Sequence, residues 1–237
     1  MARATKKKVK TITQVRSDQT CQNKRQALSQ IKRIKWNIEF RTKNQKYFWD
    51  TIQRNDVTFC AGPAGCGKTY VASYYALQML ANKKFESIIL TKPLVEAGGE
   101  KLGYLPGDVD EKTEPFMMSF YYNMEQIIGK QRLDVLRDAG VIKVIPLAYM
   151  RGLTLTDTCV ILDEAQNTLP TQIKTFLTRI GQGSKFIVSG DLLQTDIHNE
   201  NGLEDSVKRL VGVRGLGMSR FTNEDIVRHP IVGDVLE

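Results

Sequence analysis

The chain has 237 residues, of which 25% are charged, and a formal net charge of +8. This length suffices for one α/β domain with a substantial core and a smaller appendage. No apolar run reaches the roughly 20 residues that a membrane-spanning helix needs, and the first ten residues, MARATKKKVK, lack the apolar segment of a secretory signal. The composition therefore argues against a membrane-spanning or secreted class and predicts a cytoplasmic protein.

The excess positive charge lies in an N-terminal arm, defined here as residues 1–44. Residues 1–46 contain 14 of the 34 lysines and arginines but only two of the 26 acidic residues. Within the arm, the segment KRQALSQIKRIKW predicts a basic helix with Leu28, Ile31 and Ile34 along one side. Such an arm is typical either of nucleic-acid contact through counterion release or of a solubilising tail or assembly element, and the sequence leaves both open.

A glycine-rich loop follows the first predicted strand of the remaining domain, residues 45–237. The strand VTFCA precedes GPAGCGKT, and a helix-length segment without Gly or Pro follows. This is the spacing of a phosphate-binding loop, whose backbone N–H groups surround phosphate oxygens, and the flanks disfavour a turn that binds nothing. Lys68 is expected to reach the β- and γ-phosphates, and the Thr69 hydroxyl to bind Mg²⁺. The residues predicted to contact nucleotide here are Gly62, Pro63, Ala64, Gly65, Cys66, Gly67, Lys68, Thr69 and Tyr70.

Strand and helix patterns alternate along the rest of this domain. Four more strands are predicted at 87–93, 142–146, 158–164 and 184–191, which makes five with VTFCA. Apolar residues recur at helical spacing between and after these strands. The helical sets are Met117 to Ile128, the segment QRLDVLRDA, the set Ile173, Phe176, Leu177 and Ile180 behind Pro170, and the set Leu203, Val207, Leu210 and Val211. The alternation predicts an α/β fold whose mainly parallel sheet carries helices on both faces.

Polar residues follow two of the predicted strands, at the edge where ligands of parallel sheets collect. Asp163 and Glu164 end the fourth strand, and Gln194 follows the fifth. We expect Asp163 to hold Mg²⁺, Glu164 to polarise the water that attacks the γ-phosphate, and Gln194 to sense that phosphate. Capping of the next helix is the structural alternative for the acids. The acid pair followed by a polar sensor favours hydrolysis of the nucleotide over transfer of its γ-phosphate to a small molecule.

Two further segments have less specific patterns. Gln45 stands about two dozen residues before Lys68, and a side-chain amide pairs with adenine in a bidentate manner, although a surface glutamine is the simpler interpretation of the spacing alone. The loop 94–114 is rich in glycine and follows a strand end. Lys92 and Lys101 are expected to contact nucleic-acid phosphates there, and contact of the loop with another subunit is the alternative.

The order of several motifs resembles that of PhoH-like proteins. The matching stretches are GPAGCGKT, TKPLVEAGGEKLGYLPGD, PLAYMRGLTL, VILDEAQNT, FLTRIGQGSK, GDLLQTD and DIVRHPIVG. They extend from about Gln45 to Val235. Proteins of this family resemble the first motor lobe of superfamily 1 helicases, a RecA-like phosphate-loop NTPase fold. The resemblance implies ATP as the nucleotide, adenine contact by Gln45, and RNA or single-stranded DNA as the partner. So compact a chain is similar to the short forms carried by bacteriophages.

The resemblance also implies an arginine supplied from outside a single motor lobe. Superfamily 1 helicases close two lobes around ATP, and this chain, which ends at Glu237, leaves no room for the second. A homo-oligomer is therefore expected, with a hexameric ring as the hypothesis, in which a neighbouring subunit supplies the arginine. Candidates are Arg151, Arg179 and Arg228, with salt bridges or helix caps as their alternative roles.

Together the motifs predict a Mg²⁺-dependent ATPase acting on RNA or single-stranded DNA, with helicase activity as an extension. A nucleotide-switched nucleic-acid-binding scaffold with little turnover is the alternative from another class. A small-molecule kinase is the alternative among enzymes.

Overall fold

A computed structural model describes residues 12–93, 109–192, 194 and 201–227, without the side chains of 12–20 and 109–116. Within these residues the strands are Val57–Ala61 (β1), Ser87–Thr91 (β2), Ile142–Val144 (β3), Thr158–Leu162 (β4), Lys185–Gly190 (β5) and Leu216–Arg220 (β6). They form one parallel sheet in the order β3-β2-β4-β5-β1-β6. β1 lies between β5 and β6, and its carboxyl end leads directly into the glycine-rich loop.

Seven α-helices surround this sheet within the described part of the chain. They are Ile12–Lys32 (α1), Lys43–Arg54 (α2), Lys68–Ala81 (α3), Val109–Ile128 (α4), Lys130–Asp138 (α5), Pro170–Leu177 (α6) and Gly202–Arg209 (α7). None of the described helices is both long and apolar enough to cross a membrane.

The core has two halves because successive strand side chains point to opposite faces of the sheet. On one face, Cys60 and Ile161 join the cluster covered by α1 to α5. On the other face, Phe59 and Val160 join the cluster that contains Phe176 of α6. The helices thus cover both faces of a parallel sheet, as the alternation of the sequence predicts.

The five predicted strands are confirmed, and the sheet contains a sixth strand, β6, that the sequence did not predict. The sequence LGMSR has little apolar periodicity, and its Gly217 is needed because a Cβ there would collide with side chains of Thr51 and Asn55 at the end of α2. The last predicted helix is shorter than expected. It ends at Arg209, so that Val211, placed on its apolar side by spacing, is 69% exposed.

The C-terminal part of the arm packs on the domain. α1 contacts α3 and α5, and its Ala27 and Ile31 are buried. Arg25, Lys32 and Arg33 remain exposed. A helix is therefore present in the arm as expected, but it ends at Lys32, so that Ile34 lies beyond it, and the domain boundary at residue 44 stays a prediction.

Candidate nucleotide-binding site

The glycine-rich loop turns between β1 and α3 in the manner that phosphate binding requires. Gly65 and Gly67 both have φ of +85°, which side chains rarely adopt, and a Cβ on Gly67 would lie 2.8 Å from the Gln45 amide nitrogen. Lys68 begins α3, and its ammonium donates to the carbonyls of Gly62 (2.7 Å) and Pro63 (2.8 Å). A cation and the N-terminus of a 14-residue helix thus meet at the loop.

Cys66 contributes a neutral hydrogen bond inside the loop. Burial raises the pKa of its thiol, and the nearby Lys68 ammonium opposes that effect only in part. Its Sγ donates to the Pro63 carbonyl at 3.0 Å. The residue therefore acts as a buried donor of the loop.

Gln45 supports the loop from outside. Its amide nitrogen donates to the Cys66 carbonyl (3.0 Å), its amide oxygen accepts from the Arg41 N–H (2.8 Å), and the residue is only 5% exposed. Both ends of the carboxamide therefore hold backbone groups. Contact of Gln45 with adenine stays a prediction, and what the structure adds is a second role in holding the loop.

The expected metal ligands lie side by side. The Thr69 hydroxyl donates to Asp163 Oδ2 at 2.9 Å, and the Ser189 hydroxyl donates to Asp163 Oδ1 at 2.8 Å. The Lys92 ammonium lies 3.9 Å from the same carboxylate and donates to Ser119, so the structure places Lys92 beside the carboxylate. Asp163 is only 4% exposed, and the two hydroxyls and the ammonium stabilise its buried carboxylate. Hydroxyl and carboxylate oxygens are also the ligand types that Mg²⁺ prefers.

Glu164 is held in an uncommon backbone conformation next to this pair. Its φ is +56°, and its exposed carboxylate accepts from the Gln166 amide at 2.7 Å. The Gln166 amide oxygen accepts in turn from the Asp191 N–H at 2.9 Å. Gln166 is a site residue that sequence reasoning missed. The sequence points to Gln166 only by its position two residues after Glu164. Its contact with Asp191 at the end of β5 becomes visible only in the folded structure.

A cavity of about 950 Å³ joins these groups. Along one side it is lined by Lys68, Thr69, Asp163, Glu164, Asp191 and Gln194. Around the rest of its wall are residues that the sequence did not point to, together with Gln45, the glycine-rich loop and Tyr70. The unforeseen ones are Asn37, Glu39 and Arg41 ahead of α2, Ser119, Tyr122, Asn123 and Gln126 of α4, and Val227. The size lies in the usual range for small-molecule sites.

Two of the three candidate arginines, Arg151 and Arg179, are described, and they lie away from the cavity. The Arg179 guanidinium donates to the Leu153 carbonyl (3.1 Å) and the Thr175 carbonyl (3.2 Å) of its own chain, and Arg151 is exposed. Neither is among the described residues that line the cavity. Arg228 and residues 94–108 lie outside the described residues, so their roles stay predictions.

The sequence of this chain is similar to those of known proteins. A sequence profile of PhoH-like proteins matches residues 37–237. The chain belongs to the PhoH-like family. Among curated PhoH-like proteins, those of Synechocystis and Bacillus subtilis are 46% and 45% identical to it over 202 residues, which is 84% of this chain. The Escherichia coli protein PhoH is 38% identical over 192 residues, or 79% of this chain. This chain spans 61%, 63% and 54% of those three relatives.

A solved structure shares the fold of this PhoH-like chain. The large terminase of a thermophilic bacteriophage superposes with a TM-score of 0.51 at 12% sequence identity, over 84% of this chain and 50% of that one. At this identity the likeness concerns the fold alone. The predicted family and the predicted RecA-like α/β architecture are confirmed.

Proposed function

We propose that this PhoH-like protein binds ATP with Mg²⁺, hydrolyses it, and acts on RNA or single-stranded DNA. The observation that carries the proposal is the hydrogen bond between the Thr69 hydroxyl and the Asp163 carboxylate, with Glu164 next in sequence and Lys68 preceding Thr69. These four residues lie at the start of α3 and just beyond the end of β4, which the parallel sheet brings to one edge.

Each residue has a chemical part in this proposal. The loop N–H groups and the Lys68 ammonium bind phosphate oxygens, and Thr69 and Asp163 hold the metal. When bound, Mg²⁺ neutralises charge on the β- and γ-phosphate oxygens. Glu164 accepts a hydrogen bond from the attacking water and orients it. Gln194, exposed at the rim of the cavity, senses the γ-phosphate.

Basic residues of the arm support the nucleic-acid part of the proposal. Arg25 and Lys32 of α1 and Arg33 and Lys35 just after it are exposed, whereas Ala27 and Ile31 of α1 are buried. Because α1 is packed on the domain, these charges are held near its surface and do not trail from a free tail. Phosphates of a single strand fit such a surface through counterion release. Unwinding and assembly into a ring with an arginine from a neighbouring subunit are further parts of the proposal.

Steady-state ATP hydrolysis tests the enzymatic part. We expect Mg²⁺-dependent turnover that single-stranded RNA or DNA stimulates and that Glu164→Gln abolishes without loss of ATP binding. Glu204→Gln, which removes an exposed carboxylate on α7, is the matched control and should keep wild-type turnover. Equal turnover of Glu164→Gln and wild type would contradict the proposal, and turnover without stimulation would favour the nucleotide-switched scaffold.

Salt dependence tests the nucleic-acid part. Deletion of the arm would remove the buried Ala27 and Ile31, so substitution of exposed charges is the sharper experiment. In the double variant Arg33→Gln and Lys35→Gln, the plot of the log association constant for a single strand against log salt should become shallower by about 1.4 if both side chains contact phosphates, because each contact contributes about 0.7. An unchanged slope would leave the solubilising role for these charges.

A further inference from the structure

Two adjacent carbonyls of the glycine-rich loop are held by segments that are far apart in the sequence. The Val227 N–H donates to the Gly65 carbonyl at 3.1 Å, and the Gln45 amide donates to the Cys66 carbonyl at 3.0 Å. In a planar trans peptide the C=O and N–H groups point in opposite directions. Fixing these two carbonyls outward therefore fixes the N–H groups of Cys66 and Gly67 toward the inside of the loop, where phosphate oxygens would lie.

Asp225 connects the two holding segments. Its Oδ2 accepts from the Asn44 amide at 2.7 Å and from the Thr222 N–H at 2.9 Å. The Thr222 hydroxyl also donates to Oδ2 at 3.3 Å, and beside Asn44 the Thr42 hydroxyl accepts from the Gln45 N–H at 3.2 Å. The carboxylate thus lies between the residue before Gln45 and a turn that ends two residues before Val227.

We infer that Asp225 is a positioning residue that preorganises the phosphate loop by tying the Gln45 segment to the Val227 segment. The contacts close a ring of hydrogen bonds that runs from Asp225 through Asn44 and Gln45 to the loop and returns through Val227. This role rests on the proposed function only in that the loop binds the phosphates of a nucleotide.

The chemistry of the position requires a charged acceptor. Asp225 is 4% exposed, and every group around it in the described contacts is a donor. Burial by itself would raise the pKa of this carboxyl, but the hydrogen bonds from Asn44, Thr222 and Thr42 outweigh it and hold the pKa below its usual range. Asparagine has nearly the same shape, but its amide oxygen carries no charge and accepts weaker hydrogen bonds, and its NH₂ group replaces the other acceptor oxygen.

Two measurements on Asp225→Asn test the inference. Hydrogen exchange of the Val227 N–H, which donates to the Gly65 carbonyl, should become at least about tenfold faster in the absence of nucleotide. The Kd for ADP should rise at least about fivefold, because the loop must be ordered when the phosphates bind. Asn44→Ala, which removes one donor and keeps the carboxylate, should change both quantities in the same direction but less. In the double variant the two effects should be less than additive, since both act through one contact.

Lys185→Met provides the matched control for a general loss of stability. Lys185 holds carbonyls at the other end of α2 from Gln45. Lys185→Met should lower stability without changing exchange of the Val227 N–H or the Kd for ADP.

Wild-type exchange of the Val227 N–H in Asp225→Asn and in Asn44→Ala would overturn the inference, and so would equal effects in Lys185→Met. If Asp225→Asn does not fold, Asn44→Ala decides by the same two readouts. A wild-type protein that does not bind ADP would refute the proposed function instead, and hydrogen exchange alone would then decide the role of Asp225.

Discussion

Replacement of Gln166 by alanine tests whether Glu164 depends on a neighbour for its geometry. Gln166 is 3% exposed and spans the distance between the Glu164 carboxylate and the Asp191 N–H through bonds of 2.7 and 2.9 Å. The substitution frees the Glu164 side chain to leave the position from which it would orient water. It also leaves the Asp191 N–H without this acceptor.

The magnitude follows from the bond to Glu164, because that bond joins an amide to a charged group. Hydrogen bonds of this type contribute about 1.5–3 kcal/mol. If about 2 kcal/mol of this is lost in the transition state, kcat falls about 30-fold, since a factor of ten corresponds to about 1.4 kcal/mol. KM for ATP should stay near the wild-type value because Gln166 is not among the described residues that line the cavity.

The assay is steady-state ATP hydrolysis at saturating Mg²⁺, with kcat and KM determined separately. Gln172→Ala is the control, since Gln172 is an exposed glutamine of α6 whose amide oxygen accepts from a nearby backbone N–H. It should keep the wild-type kcat. A folded Gln166→Ala protein with kcat within about twofold of wild type would refute the positioning role of Gln166.

Three further predictions concern stability and are measured by urea unfolding. Gly62→Ala places a Cβ 2.5 Å from the Cβ of Phe221, so the Phe221 backbone must shift, and the free energy of unfolding should fall by about 1–3 kcal/mol. An unchanged urea midpoint would show that the backbone shifts without a cost in stability. Lys185→Met leaves the Ile52 and Asn55 carbonyls without their ammonium donor and should cost about 1–3 kcal/mol, while a change below about 0.5 kcal/mol would mean that water replaces it. Asp225 has a folded-state pKa below the usual 3.8, so its contribution to stability is present above that value and is lost as pH falls through the lowered pKa. The stability difference between wild type and Asp225→Asn should therefore be full at about pH 7 and shrink below about pH 4, and a difference independent of pH would contradict the assignment of charge.

Local patterns predict most of the fold because they coincide with its strongest physical constraints. β1 and β4 are short apolar runs that are almost entirely buried, and the glycine spacing of residues 62–69 is legible without any tertiary information. β6 escapes prediction because its position depends on pairing with β1 and on close contact with α2 through Gly217. Such a strand is set by its neighbours and has little periodicity of its own.

The candidate site likewise contains residues that the sequence predicts and residues that it does not. Lys68, Thr69 and Asp163 are predictable because each occupies a fixed place relative to a strand end. Gln166 and Asp225 are not, because their partners are 25 and 181 residues away in the sequence. Contacts of this kind become visible only when the sheet has brought the segments together.

Because Lys68 already donates to two carbonyls, it would have to change hydrogen-bond partners in order to bind a phosphate. The ammonium has acceptors at 2.7 and 2.8 Å within its own loop, so an incoming phosphate oxygen must compete with partners that are already in place. Binding would replace two hydrogen bonds from the ammonium to uncharged carbonyls by contact with an anion, and the net gain would grow with the negative charge of the ligand. Lys68 would therefore favour polyphosphates over singly charged anions.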